Sequence, residues 1–111
     1  MAGISTHILN AALGQPAPQV LVKLYQEINH QYVLQDEQWT DADGRIPAFR
    51  IEAFIQANYQ LIFEVGDYFQ TLNTASFYPS VCIDFKVTDT QQHYHVPLLI
   101  SPFSYSTYRG S

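Results

Sequence analysis

The chain has 111 residues, which predicts a single domain spanning residues 1–111. Its composition of 47% hydrophobic, 14% aromatic and 14% charged residues excludes a disordered chain, and the single cysteine, Cys82, excludes an intrachain disulfide scaffold. Five Lys and Arg against ten Asp and Glu give a net charge of −5, which argues against a nucleic-acid or anionic-membrane partner.

The first residues lack the basic and apolar regions of a signal peptide. No apolar run approaches the roughly 18 or more residues of a membrane span. We therefore expect a soluble, cytoplasmic protein without a membrane partner.

Apolar residues recur at every second position, the spacing of strands with one buried face. In chain order, strands are predicted at residues 4–9, 20–24, 31–35, 59–65, 81–87 and 94–103. One window, residues 64–72, has helical spacing, so a short helix is predicted from about Gly66. Residues 89–92 have turn composition and are interpreted as a hairpin loop joining two long strands. These elements predict a small β-sandwich of seven or eight strands with one short helix.

His93 and His95 lie two apart in a predicted strand, so both imidazoles should point to one face while Tyr94 and Val96 face the core. Such a pair can begin a metal site, but the isolated His7 and the other histidine and cysteine do not supply an obvious ligand set. A surface pair without a role is the alternative.

The segment Asp41-Ala42-Asp43-Gly44-Arg45 superficially resembles a calcium loop, but the place of the further carboxylate is occupied by Arg50. A tight turn with Gly44 at positive φ is the better interpretation. The aromatic C-terminal tail either forms a last edge strand or belongs to a site.

Four separated motifs resemble those of the 5-hydroxyisourate hydrolases, the enzymes of the transthyretin-like family. They are Thr6-His7-Ile8-Leu9, Gly14-Gln15-Pro16-Ala17, Asp43-Gly44-Arg45 and the run from His93 to the ending Tyr108-Arg109-Gly110-Ser111. The resemblance extends over about residues 4–111 and implies a transthyretin-like β-sandwich. The family's carrier branch, transthyretin, lacks the two histidines, the turn arginine and this ending, so the resemblance favours the enzyme over a small-ligand carrier.

The resemblance implies hydrolysis of 5-hydroxyisourate by an activated water, without a covalent intermediate, cofactor or metal. His7 and His95 are expected to activate water and deliver a proton, which suits imidazole chemistry near neutral pH. Arg45 is expected to bind substrate and stabilise developing negative charge. The remaining expected substrate-binding residues are Tyr108, Arg109, Gly110 and Ser111, the last through its hydroxyl or carboxylate.

Two further expectations follow from the resemblance. Family members assemble as homotetramers, built as dimers of dimers with active sites where the dimers face each other. Asn10 stands where the family commonly carries Asp, and it is expected to make local turn hydrogen bonds instead.

Overall fold

A computed structural model describes residues 2–111 of the chain. Over those residues it contains nine β-strands and one α-helix. In chain order the elements are β1 (Gly3–Asn10), β2 (Gln15–Pro16), β3 (Leu21–Ile28), β4 (Gln31–Trp39), β5 (Arg45–Ile46), β6 (Ala57–Phe63), α1 (Val65–Thr71), β7 (Val81–Val87), β8 (His93–Ser101) and β9 (Ser104–Thr107). Because β2 and β5 are only two residues long, the predicted all-β fold of seven or eight strands with one short helix is confirmed.

The strands form two sheets. The first has the order β2-β1-β8-β9, with β5 also paired to β1, and the second has the order β4-β3-β6-β7. Strands β1 and β8 run parallel, and their register places Ser5 opposite His95. This pairing brings together Ser5 and His95, which are 90 positions apart in the chain. It therefore determines which side chains can meet on the outer face of the sheet.

The core combines buried side chains from both sheets. Alternate residues of β3, β6 and β8 face inward, as the two-residue spacing predicts. Fully buried members include Ile4, Ile8, Val22, Leu24, Tyr59, Leu61, Phe63, Leu98 and Ile100. Strand β7 departs in part: Val81 and Val87 are buried, but Ile83 and Phe85 are half-buried because β7 lies at the edge of its sheet.

The predicted short helix is confirmed as α1, which begins at Val65, one residue before the predicted start at about Gly66. Its buried face consists of Val65, Tyr68 and Phe69. Close approach to the segment before β7 depends on Gly66, because a Cβ there would lie 2.7 Å from the Pro79 carbonyl oxygen. No helix among residues 2–111 has the length and apolar character needed to cross a bilayer.

The predicted hairpin at residues 89–92 is wrong. These residues do form a turn, with the Gln92 amide donating to the Asp89 carbonyl. However, β7 pairs with β6 in one sheet, whereas β8 pairs with β1 and β9 in the other. The turn is a connection between sheets, fixed by the Tyr94 hydroxyl, which accepts hydrogen bonds from the Thr88 and Asp89 amides.

The turn before β5 has the predicted positive φ, +75° at Gly44. The Gly44 carbonyl accepts a hydrogen bond from the Ile8 amide at 2.8 Å, which attaches the turn to β1. A Cβ at Gly44 would press on the Ile8 carbonyl oxygen and lie 3.0 Å from the Ala17 nitrogen. Only glycine satisfies both the backbone conformation and the close approach.

We expect Gly44→Ala to lower the free energy of unfolding by about 2 kcal/mol or more, since it adds left-handed strain to backbone crowding. Urea denaturation measures this change. Gly14→Ala is the matched control, because Gly14 also has positive φ, +66°, but has no neighbouring atom within 4 Å of the added Cβ. Equal losses for the two variants would contradict the argument from crowding.

Candidate active site

The predicted catalytic residues lie on the outer face of the five-stranded sheet, away from the core. His7 on β1 is in register with Arg45 on β5, so the two side chains share a face. His95 lies on the opposite neighbour of β1, in register with Ser5. A shallow depression of about 300 Å³ opens on this face. Its lining includes Arg45, Pro47, His93, His95, Ser5 and Ser111.

The turn that presents Arg45 is closed by Asp41. One carboxylate oxygen of Asp41 accepts hydrogen bonds from the Asp43 and Arg45 amides, both at 2.9 Å. Its backbone amide donates to the Arg45 carbonyl at 3.0 Å. The sequence Asp-x-Asp-Gly-Arg therefore serves to fix a turn, and it leaves the Arg45 side chain exposed toward solvent.

Ser5 joins the two histidines of β8. Its Oγ lies 2.7 Å from His93 Nε2 and 2.7 Å from His95 Nδ1. This confirms that His93 and His95 share one face. Sequence reasoning missed Ser5, although its position two residues before His7 places it on the same face of β1. Its partners depend on the register between β1 and β8, which no local pattern reveals.

Within the part of the chain that the structure describes, the two imidazoles have no third metal-ligating partner. Among residues 2–111, no three His, Cys, Asp or Glu side chains lie close enough together to hold a metal ion. The imidazole pair instead engages the hydroxyl of Ser5.

Burial lowers the pKa of the His95 imidazole below its ordinary value, because it disfavours the charged form. The nearby basic side chains of His7, His93 and Arg45 act in the same direction, because a positive charge on any of them disfavours a second one on His95. The lowered pKa favours the neutral imidazole of His95, which is the form able to accept a proton.

Gly110, the residue before the last one given, packs against His95 through its backbone. The Gly110 amide donates to the His95 carbonyl at 2.9 Å, forming an isolated bridge with β8. A Cβ at Gly110 would lie 2.6 Å from His95 Cδ2. Gly110 thus allows the backbone to approach the imidazole, and Ser111 follows it into the lining of the depression.

Tyr108 and Arg109 do not line the depression that contains Arg45. The Arg109 guanidinium carbon sits 4.4 Å from the centre of the Tyr94 ring, and its Nη2 donates to Gln92 Oε1 at 2.8 Å. Tyr94 is on the core side of β8, opposite His95. Both Tyr108 and Arg109 line a second cavity, of about 260 Å³, with Ile83 and Phe85 of β7. His95 also lines this second cavity, so it borders both openings. Within one subunit the structure therefore places His7, Arg45, Gly110 and Ser111 on one side of His95, and Tyr108 and Arg109 on the other.

Comparison with known proteins shows which family the chain belongs to. The model of the HIUase/transthyretin family matches residues 4–110. The chain belongs to this family. A 5-hydroxyisourate hydrolase of Caulobacter vibrioides is 43% identical over 115 residues, covering all of both chains.

Solved structures agree. The 5-hydroxyisourate hydrolase of Klebsiella pneumoniae is 36% identical with a TM-score of 0.89, covering all of both chains. Sea bream transthyretin, solved with thyroxine, is 28% identical with a TM-score of 0.91, covering 96% of this chain and 93% of that one. The hydrolase relatives confirm the prediction that the chain is an enzyme of the HIUase/transthyretin family.

Asn10 makes hydrogen bonds that close the turn after β1. Asn10 Oδ1 accepts hydrogen bonds from the Ala12 and Leu13 amides, at 3.1 and 3.2 Å. Its Nδ2 donates to the Tyr68 hydroxyl at 3.1 Å. The prediction of local turn hydrogen bonding is confirmed, and the amide gains a contact to α1 that a carboxylate could make only by accepting the hydroxyl proton.

Proposed function

We propose that this member of the HIUase/transthyretin family hydrolyses 5-hydroxyisourate to 2-oxo-4-hydroxy-4-carboxy-5-ureidoimidazoline. The observation that carries the proposal is the placement of two imidazoles and one guanidinium on a single accessible sheet face: His7, His95 and Arg45. Two relatives named 5-hydroxyisourate hydrolase align with the whole of this chain.

Hydrolytic ring opening requires three things: an activated water, stabilisation of the oxyanion and a proton for the departing nitrogen. The lowered pKa of His95 favours this residue as the general base that takes a proton from water. Arg45, exposed at the mouth of the depression, supplies donors in one plane for the developing negative charge. His7 lies beside Arg45 and is the second imidazole for proton transfer. No side chain needs to form a bond to the substrate.

The direct test is the decay of ultraviolet absorbance of freshly generated 5-hydroxyisourate, with and without the purified protein. We expect the protein to accelerate this decay catalytically, at concentrations far below that of the substrate. Spontaneous decay in buffer and in the presence of the unfolded protein are the controls. A decay rate equal to that of buffer would refute the proposed activity, and saturable thyroxine binding in its place would indicate a carrier.

The pH dependence follows from the lowered pKa of His95. Activity requires neutral His95, so kcat/KM should decline toward acid pH with a midpoint below the ordinary imidazole value of about 6.5. The unfolded chain binds the proton more readily than the folded one, so the free energy of unfolding should fall over the same acidic interval. A pH profile of kcat/KM, together with an NMR titration of His95, measures both effects. An NMR midpoint at or above that of a free histidine peptide would contradict the prediction.

We further propose that four copies assemble, as a dimer of dimers with sites between the dimers. The depression is shallow and Arg45 is exposed within one subunit, so a second copy would enclose the substrate. Aromatic side chains also lie exposed near the edge strand β9, a surface that association would cover. They are Phe77, Phe103 and Tyr105, with exposed fractions of 69%, 67% and 41%.

Sedimentation equilibrium at micromolar concentration should therefore give a mass of four times the 12.7 kDa chain. We expect Tyr105→Glu, which places a charge on the edge strand, to reduce that mass. Lys23→Glu on the interior strand β3 is the matched control and should leave the assembly intact. A monomeric mass for the unchanged protein would overturn the proposal.

A further inference from the structure

The hydroxyl of Ser5 has two imidazole partners but only one proton. It can donate to one ring nitrogen and must accept from the other when both rings are neutral. Both contacts are short, 2.7 Å, and the residue is buried, with only 6% of its surface exposed. Ser5 therefore makes the protonation of His93 Nε2 depend on that of His95 Nδ1.

The proposed general base fixes the direction of these bonds. If His95 accepts a proton through Nε2, that nitrogen is unprotonated and Nδ1 carries the hydrogen. His95 Nδ1 then donates to Ser5 Oγ, and the Ser5 hydroxyl donates to His93 Nε2. The tautomer of His95 thus fixes the direction of the Ser5 hydroxyl, and the Ser5 hydroxyl fixes the tautomer of His93.

We propose that Ser5 is a positioning residue that relays a proton between the two histidines, an inference that rests on the proposed hydrolysis. As His95 Nε2 takes a proton from the attacking water, the Nδ1 proton passes to Ser5 Oγ and the Ser5 proton passes to His93 Nε2. The hydroxide bonds to the substrate carbon, His95 and Ser5 end neutral, and His93 carries the positive charge.

The same relay returns the proton when the ring opens. His95 now holds its hydrogen on Nε2, and it passes this hydrogen to His7 while His7 gives its own to the departing nitrogen as the carbon–nitrogen bond breaks. His93 Nε2 then returns its proton to Ser5, and Ser5 returns one to His95 Nδ1. The cycle ends with one water consumed and all four side chains restored.

The register explains why the charge should move toward His93. His95 is opposite Ser5, two positions from His7 and Arg45, whereas His93 is opposite Gly3, two positions farther away. The groups facing His95 are His7 on β1 and Arg45 on β5, with Ser111 beyond the bridge to β8. A cation on His93 is farther from His7 and Arg45 than one on His95.

Two variants test the relay. Ser5→Ala removes the bridging hydroxyl, and we expect kcat to fall by about tenfold to a hundredfold with KM changed by less than about twofold. His93→Gln keeps an amide that can hydrogen-bond to Ser5 but cannot take up its proton, and a similar loss of kcat is expected. Ser101→Ala is the matched control, a hydroxyl removed from the far end of β8.

An NMR measurement tests the relay without substrate. Long-range nitrogen–proton correlation spectra should show neutral His95 with its hydrogen on Nδ1, and Ser5→Ala should mix the two tautomers. The acidic limb of the kcat profile should also move in Ser5→Ala, which a purely structural role would not cause.

The outcomes separate the relay from the hydrolysis. If the unchanged protein hydrolyses 5-hydroxyisourate while both variants retain kcat within about twofold, the relay is wrong and the proposed function stands. If no hydrolysis occurs, the proposed function fails, and the His95 tautomer decides the hydrogen-bond direction by itself. Neutral His95 protonated on Nε2 in the free protein would overturn the relay in either case.

Discussion

His95→Asn should lower kcat for 5-hydroxyisourate by about 10²- to 10⁴-fold, the range typical of a lost general base. Asparagine can replace a hydrogen bond to Ser5 but cannot accept the proton of water. The fold should be unaffected, because His95 lies on the outer face and outside the core. Steady-state assays give the loss, and thermal unfolding checks the fold.

His7→Asn is expected to show a loss of the same order, since the second proton transfer needs the second imidazole. His30→Asn is the matched control. His30 is exposed in the β3–β4 turn with a φ of +65°, a conformation that asparagine tolerates well. Full turnover in both His7→Asn and His95→Asn would show that the sheet face is not the active site.

Gly110→Ala should lower kcat by about a hundredfold, although it adds only a methyl group. The new Cβ would lie 2.6 Å from His95 Cδ2 and 3.2 Å from its Cγ. The imidazole must therefore rotate away from its position, while its Nδ1 is held by Ser5. The backbone bond from the Gly110 amide can persist, so the melting temperature should change little.

Gly14→Ala is the matched control and should lower stability without changing kcat. Its positive φ should cost stability, but it lies in the loop between β1 and β2 with open space around the new Cβ, so kcat should stay unchanged. A Gly110→Ala protein with kcat within about twofold of the original would refute the close-packing argument. A structure of that variant with His95 unmoved would do the same.

Local features of the fold could be predicted from sequence because they depend on local spacing. The alternation in β3, β6 and β8 and the helical spacing after Phe63 each reflect which side chains face the core. The connection at residues 89–92 was mispredicted because its composition reports a turn but not which strands pair on either side. That information lies in the contact of β8 with β1, far away in the chain.

The site shows the same division. Same-face placement of His93 and His95 followed from their spacing, whereas His7, Arg45 and His95 were selected by resemblance to a family. Neither the spacing nor the resemblance identified Ser5, since its contacts with the two histidines form only when β1 and β8 are in register. Arg109 binds the Tyr94 ring on the other side of β8, a contact that its neighbouring positions in the sequence do not reveal.

The proposed catalytic face and the buried core occupy opposite sides of the same sheet, and this separation affects how the fold can change. Substitutions at His7, Arg45 or His95 alter outward-facing side chains. Their buried neighbours in the same strands, such as Thr6 and Val96, continue to hold the sandwich together. Chemistry and folding are thereby encoded by alternate letters of the same strands. One scaffold can then carry different outward-facing residues without being rebuilt, in keeping with the TM-score of 0.91 between this chain and a transthyretin solved with thyroxine.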